Sequence, residues 1–258
     1  MRVLSLVLAA AAALSVSSPS LAQDKATEVL KESDTSFWSA WKRSAEIGVN
    51  GSAGNSENFN VRAGLSTERK TDQLATSAGI RYSYATSDGT RSANRGEAFA
   101  RNDWILKDPR WRVFAKGGLE YDEFQDWKWR LNGAAGLGYS FVQRDSFEWI
   151  GRVGPAFSWT LQGSDPNPKF TPELDLGTDL MWKITERQKL TFSADYYPAL
   201  DDFPSAYRVV AKAAYEVLVD PETNMSLKMG VEDRYQSQPG GNRKKNDVDY
   251  FLLLVWSF

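Results

Sequence analysis

Residues 247–258 read Asp-Val-Asp-Tyr-Phe-Leu-Leu-Leu-Val-Trp-Ser-Phe, and their period decides the fold. Val248, Tyr250, Leu252, Leu254, Trp256 and Phe258 fall on one face of an extended chain; Asp247, Asp249, Phe251, Leu253, Val255 and Ser257 fall on the other. A period of two is the mark of a β-strand, whose successive side chains point to opposite sides. The preceding segment repeats the pattern, with Met225, Leu227, Met229 and Val231 set against Ser226, Lys228, Gly230 and Glu232. Before it, Tyr207, Val209, Ala211, Ala213, Tyr215 and Val217 alternate with Arg208, Val210, Lys212, Ala214 and Glu216.

Reading back by the same rule predicts twelve strands, beginning near Trp41, Asn58, Gln73, Ala93, Trp111, Trp127, Phe147, Phe170, Lys189, Ser205, Asn224 and Asp247. Most hold about ten alternating residues, the length a tilted strand needs to cross a bilayer. Every second connection is short: Lys70-Thr71-Asp72, Lys107-Asp108-Pro109-Arg110, Arg144-Asp145, Thr185-Glu186-Arg187 and Asp220-Pro221-Glu222-Thr223. Most of the others are longer, from Thr86 to Ala93, Gly163 to Lys169, Pro198 to Pro204 and Gln236 to Asn246, while those at Gly54-Asn55-Ser56 and Gln125-Asp126 are short. Short turns on one side and longer loops on the other are the arrangement of an outer-membrane barrel. The expectation is therefore all-β: an antiparallel transmembrane β-barrel of about twelve strands over residues 41–258.

Composition agrees. A mean hydropathy of −0.46 excludes a bundle of membrane helices but not a barrel, whose strands are apolar only at alternate positions. Trp and Tyr, ten of each, suit interfacial girdles. At the N-terminus, Arg2, the apolar run from Val3 to Leu14, and Ser20 and Ala22 before Gln23 read as a secretory signal peptide over residues 1–22. Residues 23–40 are polar and read as a periplasmic segment. The expected location is the bacterial outer membrane.

Short motifs add a resemblance. The stretch from Trp41 through Gly54-Asn55-Ser56 to Leu65, the run Arg130-Leu131-Asn132-Gly133-Ala134-Ala135-Gly136-Leu137-Gly138-Tyr139, and Gly154-Pro155 resemble a family of unknown function whose members are described as salt-induced outer-membrane proteins. Where that family continues with another Gly, Ala156 stands here. The resemblance implies an outer-membrane barrel and carries no catalytic residues.

The chain has no Cys and no His, which removes thiolate sites, the commonest general base and the commonest metal ligand. The expectation is that it is not an enzyme and needs no cofactor. Asn50-Gly51-Ser52-Ala53-Gly54 only approaches a nucleophile elbow. Asp201-Asp202 and the pair Asp247, Asp249 read as a solvated loop and as lumen-lining residues. A net charge of −2 gives no reason to expect nucleic acid.

With the apolar face toward lipid, the other face turns charges of both signs inward. Arg112, Lys116, Lys128, Arg130, Arg208, Lys228, Asp175 and Asp179 are expected in the lumen, with Arg62, Arg81, Arg101, Arg152, Lys183, Glu120 and Asp195. They either line a narrow path for solutes or pair across the lumen and fill it. Twelve strands lie between the eight that side chains can fill and the sixteen that leave an open channel. A structural or envelope-stress role with a filled lumen or very narrow pore leads. A small-solute channel comes second, then a lipid-modifying enzyme and a soluble secreted β-protein. Phe258, Trp256 and Tyr250 are the expected handle for the outer-membrane assembly machinery. Arg243, Lys244 and Lys245, following the strand-breaking Pro239-Gly240-Gly241, are expected to meet lipopolysaccharide phosphates. Outer-membrane lipid is the other expected partner, and a monomer the expected state.

Overall fold

A computed structural model describes residues 40–52, 58–161, 168–239 and 243–258. The signal peptide, nearly all of residues 23–40, and the loops around Gly54-Asn55-Ser56, Gly163 and Gly240-Gly241 lie outside the described residues.

The chain forms twelve strands: β1 (Lys42–Ser52), β2 (Asn58–Lys70), β3 (Leu74–Ser87), β4 (Thr90–Ile105), β5 (Trp111–Asp122), β6 (Trp129–Arg144), β7 (Phe147–Leu161), β8 (Lys169–Thr185), β9 (Gln188–Pro198), β10 (Tyr207–Asp220), β11 (Met225–Gln236) and β12 (Asn246–Ser257). Each pairs antiparallel with its sequence neighbours, and β1 pairs with β12 to close the barrel. All twelve begin within three residues of the positions read from the period. Closure joins the two edge strands of the sheet to each other, as a sheet standing in hydrocarbon requires.

Two connections differ from expectation. Thr86 to Ala93 is not a long loop: β3 and β4 run on to a two-residue hairpin at Asp88 and Gly89. Both residues have positive φ, 49° and 74°, as a type I′ turn requires. Asp-Gly is the pair that adopts this turn most readily, and a register shift between Ala85 and Thr86 absorbs the odd residue. Trp127 and Lys128, expected to open β6, lie instead in the connection between β5 and β6. There Asp122 Oδ1 accepts from the Phe124 N–H at 2.9 Å, turning the chain, and the Lys128 N–H donates to the Leu161 carbonyl at 3.2 Å.

The closing seam is paired over only part of its length. β1 matches β2 along its whole run, from Lys42–Glu68 to Ser52–Asn58, and β12 matches β11 from Asn246 to Trp256. Between themselves β1 and β12 pair from Ser44–Ser257 to Ile47–Leu254 and no further. Below these pairs, Arg43 and Phe258 exchange backbone hydrogen bonds at 2.9 and 3.1 Å.

Candidate functional site

The register settles which face is the lumen. Leu252, Met229 and Leu176 are exposed on the outside, as are Ile47, Leu65, Ile80, Val153 and Leu254, whereas Arg112, Arg130, Arg152, Glu173, Asp175 and Glu232 are buried. The barrel is inside-out relative to a soluble protein, and its outer wall is built for lipid. Trp129 and Tyr139 share the outer face of β6; at roughly 3.3 Å per residue and a tilt of about 40°, they lie about 25 Å apart in height, the height of the apolar band. At the turn end Trp111, Tyr139, Phe141 and Trp149 form a continuous aromatic ladder, with centroids 4.9 to 5.4 Å apart.

Inside, charges bridge the lumen. Arg101 on β4 reaches Asp179 on β8 at 2.7 Å, spanning four strands. Lys116 on β5 meets Asp175 on β8 at 2.9 Å and Asp195 on β9 at 2.8 Å. Arg152 on β7 joins Asp195 at 2.7 Å and also Asp179. The Arg152 side chain is 1% exposed and that of Asp175 0%. Phe114 and Tyr197, with Ala134 and Ala156, fill the space beside them, and Lys116 and Arg208 stack over Tyr197 at 5.1 and 3.7 Å. Lumen-facing glycines make room. A Cβ on Gly138 would lie 2.8 Å from the Arg112 side chain, and one on Gly177 would strike Arg152 and Asp195. Arg112 lies between Asp103 and Glu148, at 3.5 and 3.3 Å. Burying charge is costly unless it is paired, so this layer persists because each member has an opposite.

A second hub centres on Glu232, which sequence reasoning placed on the polar face but did not single out. Arg62, Arg81, Lys212 and Arg234 approach its carboxylate at 3.0, 3.9, 3.3 and 2.7 Å. Arg95 and Arg234, also missed, hold Asp249. Parity along β4 and β11 would have found all three. Other expected lumen residues pair with close neighbours: Arg130 with Glu120 at 2.6 Å, Arg208 with Glu173 at 2.9 Å and Lys228 with Glu46 at 3.0 Å. Lys128 and Lys183 are exposed rather than lumenal. Lys128 is out of β6, and Lys183 sits at the bulge near the turn end of β8.

Above the Glu232 hub, at the loop end, a vestibule of about 530 Å³ remains open. Arg62, Arg95, Asp122, Asp249, Asn60 and Asn94 line it, with Phe124, Gln125, Arg243 and Lys244 toward its mouth. Asp247 accepts from Gln125 Nε2 at 2.8 Å. Asp202, in the exposed loop 199–206, accepts from Gln238 Nε2 at 3.0 Å, away from that pair. Of the expected lipopolysaccharide contacts, Arg243 is turned inward: it pairs with Asp126 and donates to the Phe124 carbonyl at 2.6 Å. Lys244 and Lys245 are exposed. At the rim, hydrogen bonds from Asn94 and Arg91 hold the Glu123 carboxyl below its ordinary range. Tyr250, Trp256 and Phe258 lie exposed, and the last two rings are 5.8 Å apart.

The family described as "Protein of unknown function, DUF481" matches residues 45–258. No curated protein matches the chain. Among solved structures it is similar to the NanC porin, at 12% identity and a TM-score of 0.48 over 84% of this chain and 98% of that one. It is similar to an outer membrane channel from Pseudomonas putida F1, at 12% identity and 0.47 over 84% and 94%. It is similar too to the translocator domain of the autotransporter NalP from Neisseria meningitidis, at 11% and 0.46 over 90% and 97%.

Proposed function

The chain belongs to this family of unknown function, and from that premise we propose that it is a bacterial outer-membrane barrel with a lumen closed at mid-height by paired charges. Its role is then structural or tied to envelope stress, without enzymatic chemistry, rather than that of an open channel. The observation that carries the reading is the reach of Arg101 to Asp179 across the barrel, beside an Arg152 and an Asp175 side chain with almost no exposure. Side chains in an aqueous path would keep water contact; Arg152 and Asp175 have almost none, and Arg101 and Asp179 keep about a quarter of theirs.

The outer-membrane location is supported by the apolar outer wall and by the turns. The connections on the side of the termini hold two to five residues, and those on the other side up to nine. On this reading residues 1–22 are a cleaved export signal and the turn end faces the periplasm. Phe258, Trp256 and Tyr250 present the last strand to the assembly machinery, Lys244 and Lys245 meet lipopolysaccharide, and the barrel works as a monomer. A small-solute channel is the second reading, favoured by the open vestibule.

Planar-bilayer conductance of refolded protein tests the closure. Silence is expected from the native chain. Brief openings are expected from Arg101→Ala combined with Arg152→Ala, which removes both cations paired with Asp179, one from across the barrel and one from the neighbouring strand. Steady ion steps from the native protein would refute the closed lumen and establish the channel.

A further inference from the structure

We propose that an oblique trench in the outer wall, crossing strands β5 to β10, holds one acyl chain of an anionic phospholipid whose phosphate meets Arg110 and Arg144 at the turn end. The site does not depend on the closed lumen. That the lipid belongs to the periplasmic leaflet rests on the orientation argued above.

Three observations converge. First, the wall is indented there. The register sets Gly151 opposite Thr178 and Thr178 opposite Ala194, so three small residues lie side by side on the outer face. Val153, Leu176 and Tyr196 stand on the loop side of this row and Phe141 and Trp149 on the turn side, around a space of about 780 Å³. Positions that flank a row on the same face are four residues apart, roughly 13 Å, and their side chains leave the width of a single hydrocarbon chain. From Trp111 on β5 to Val209 on β10 the lining crosses five interstrand steps, roughly 24 Å. With strands tilted about 40°, that path rises about 15 Å, half the hydrocarbon core and so the depth of one leaflet.

Second, the floor asks for an apolar occupant. Thr178, the polar residue of the row, accepts from Trp149 Nε1 at 3.0 Å and donates to the Ile150 carbonyl at 3.1 Å, so its hydroxyl is already satisfied. The Phe141 ring lies against Gly151, which has no Cβ to hold it off. Contact with such a floor is by dispersion, which suits an alkyl chain. Third, cations without partners stand at the lower end. Arg110 and Arg144 are exposed, and neither makes an ion pair among the described residues. Arg110 immediately precedes Trp111, and its carbonyl accepts from the Ser140 N–H at 2.8 Å. Arg144 owes its facing to a bulge. Pairing slips between Ser140–Ile150 and Val142–Trp149, so Arg144, which strict alternation would turn to the lumen, lies opposite Phe147 on the lipid side. A guanidinium at the membrane interface recognises a phosphate through its fork of N–H donors.

Native mass spectrometry of protein released from nanodiscs of phosphatidylglycerol and phosphatidylethanolamine tests the site. The native chain should retain one phosphatidylglycerol. Ala194→Trp, which fills the floor, should abolish retention. Ala98→Trp, on the outer wall beside Leu119 and outside the trench, should leave it unchanged. Arg110→Gln with Arg144→Gln should lower the preference for phosphatidylglycerol over phosphatidylethanolamine about thirtyfold, the effect of two cationic contacts on an anionic head. Heat-modifiable migration verifies that each variant is folded. Equal retention by the native chain and Ala194→Trp, or an unchanged preference in the double Arg variant, overturns the proposal. A lipid-free dimer of the native chain that Ala194→Trp dissociates would give the trench to a second copy and overturn it as well. The discs hold both lipids in both leaflets, so retention is independent of orientation, and reversed surface labelling would overturn the choice of leaflet alone. Steady conductance would overturn the closed lumen and leave this site standing.

Discussion

Replacing Glu232 by Gln should destabilise the barrel more than any exposed substitution. The carboxylate has four cations around it, at 2.7 to 3.9 Å. At an effective dielectric constant near 20, each closer contact carries roughly 5 kcal/mol of gross attraction, much of it offset by desolvation and by repulsion among the cations. Arg81 and Arg234 keep other carboxylates, Glu97 and Asp249. Arg62 and Lys212 make no other ion pair among the described residues. The variant therefore leaves two part-buried cations uncompensated, and the expected cost is about 3 kcal/mol, the low end for breaking a buried pair because Lys212 keeps some water contact. Glu186→Gln, on an exposed turn, should cost less than about 1 kcal/mol. Urea unfolding in detergent micelles, followed by tryptophan fluorescence and heat-modifiable migration, measures both. Glu232→Gln combined with Lys212→Met should recover part of the loss, because one orphaned charge is gone. Equal midpoints for Glu232→Gln and Glu186→Gln would refute the account of a lumen held by mutual charge satisfaction.

Other outcomes follow from the facing and from the two ends. Leu252→Arg or Met229→Arg should cost about 2–4 kcal/mol if those positions lie near the bilayer midplane, and single-Cys labelling should find position 229 in lipid and position 228 shielded. Deleting Phe258 should lower the yield of heat-modifiable protein in the outer membrane; a normal yield would remove the assembly role of that residue. Changing Arg243, Lys244 and Lys245 to Ser should reduce co-purifying lipopolysaccharide. Since Arg243 is engaged with Asp126, the Lys244, Lys245 double variant should account for most of the effect. An epitope tag beside Gly241 that fails to label intact cells would reverse the orientation.

Much of this architecture was written in alternation. Strand number, facing and the mixed-sign lumen follow from a period of two, because one buried or lipid-facing side fixes register strongly. The Asp88–Gly89 hairpin was legible too, since Asp-Gly is its own turn signal; counting polar residues between strands hid it. What could not be read was which charges meet. Arg101 and Asp179 are far apart in sequence and four strands apart in the sheet, so their contact depends on how the barrel's cross-section brings opposite walls together. The incomplete seam was equally hidden. Nothing in residues 48–52 or 246–253 distinguishes a strand that pairs on one side from one that pairs on both.

The alternation of faces also bears on how such a chain could travel. Within β12 the longest unbroken apolar run, Tyr250 to Trp256, is seven residues. A segment must offer about twenty to be retained as a membrane helix. Each strand dilutes its lipid-facing residues with Asp, Arg, Lys or Gly, so the outer wall does not exist as a hydrophobic object until the sheet closes. The inward charges thus hide the membrane surface from any machinery that sorts nascent chains by average hydropathy. Replacing lumen charges on one strand with Leu would, by this reasoning, stall the protein in the first membrane it meets.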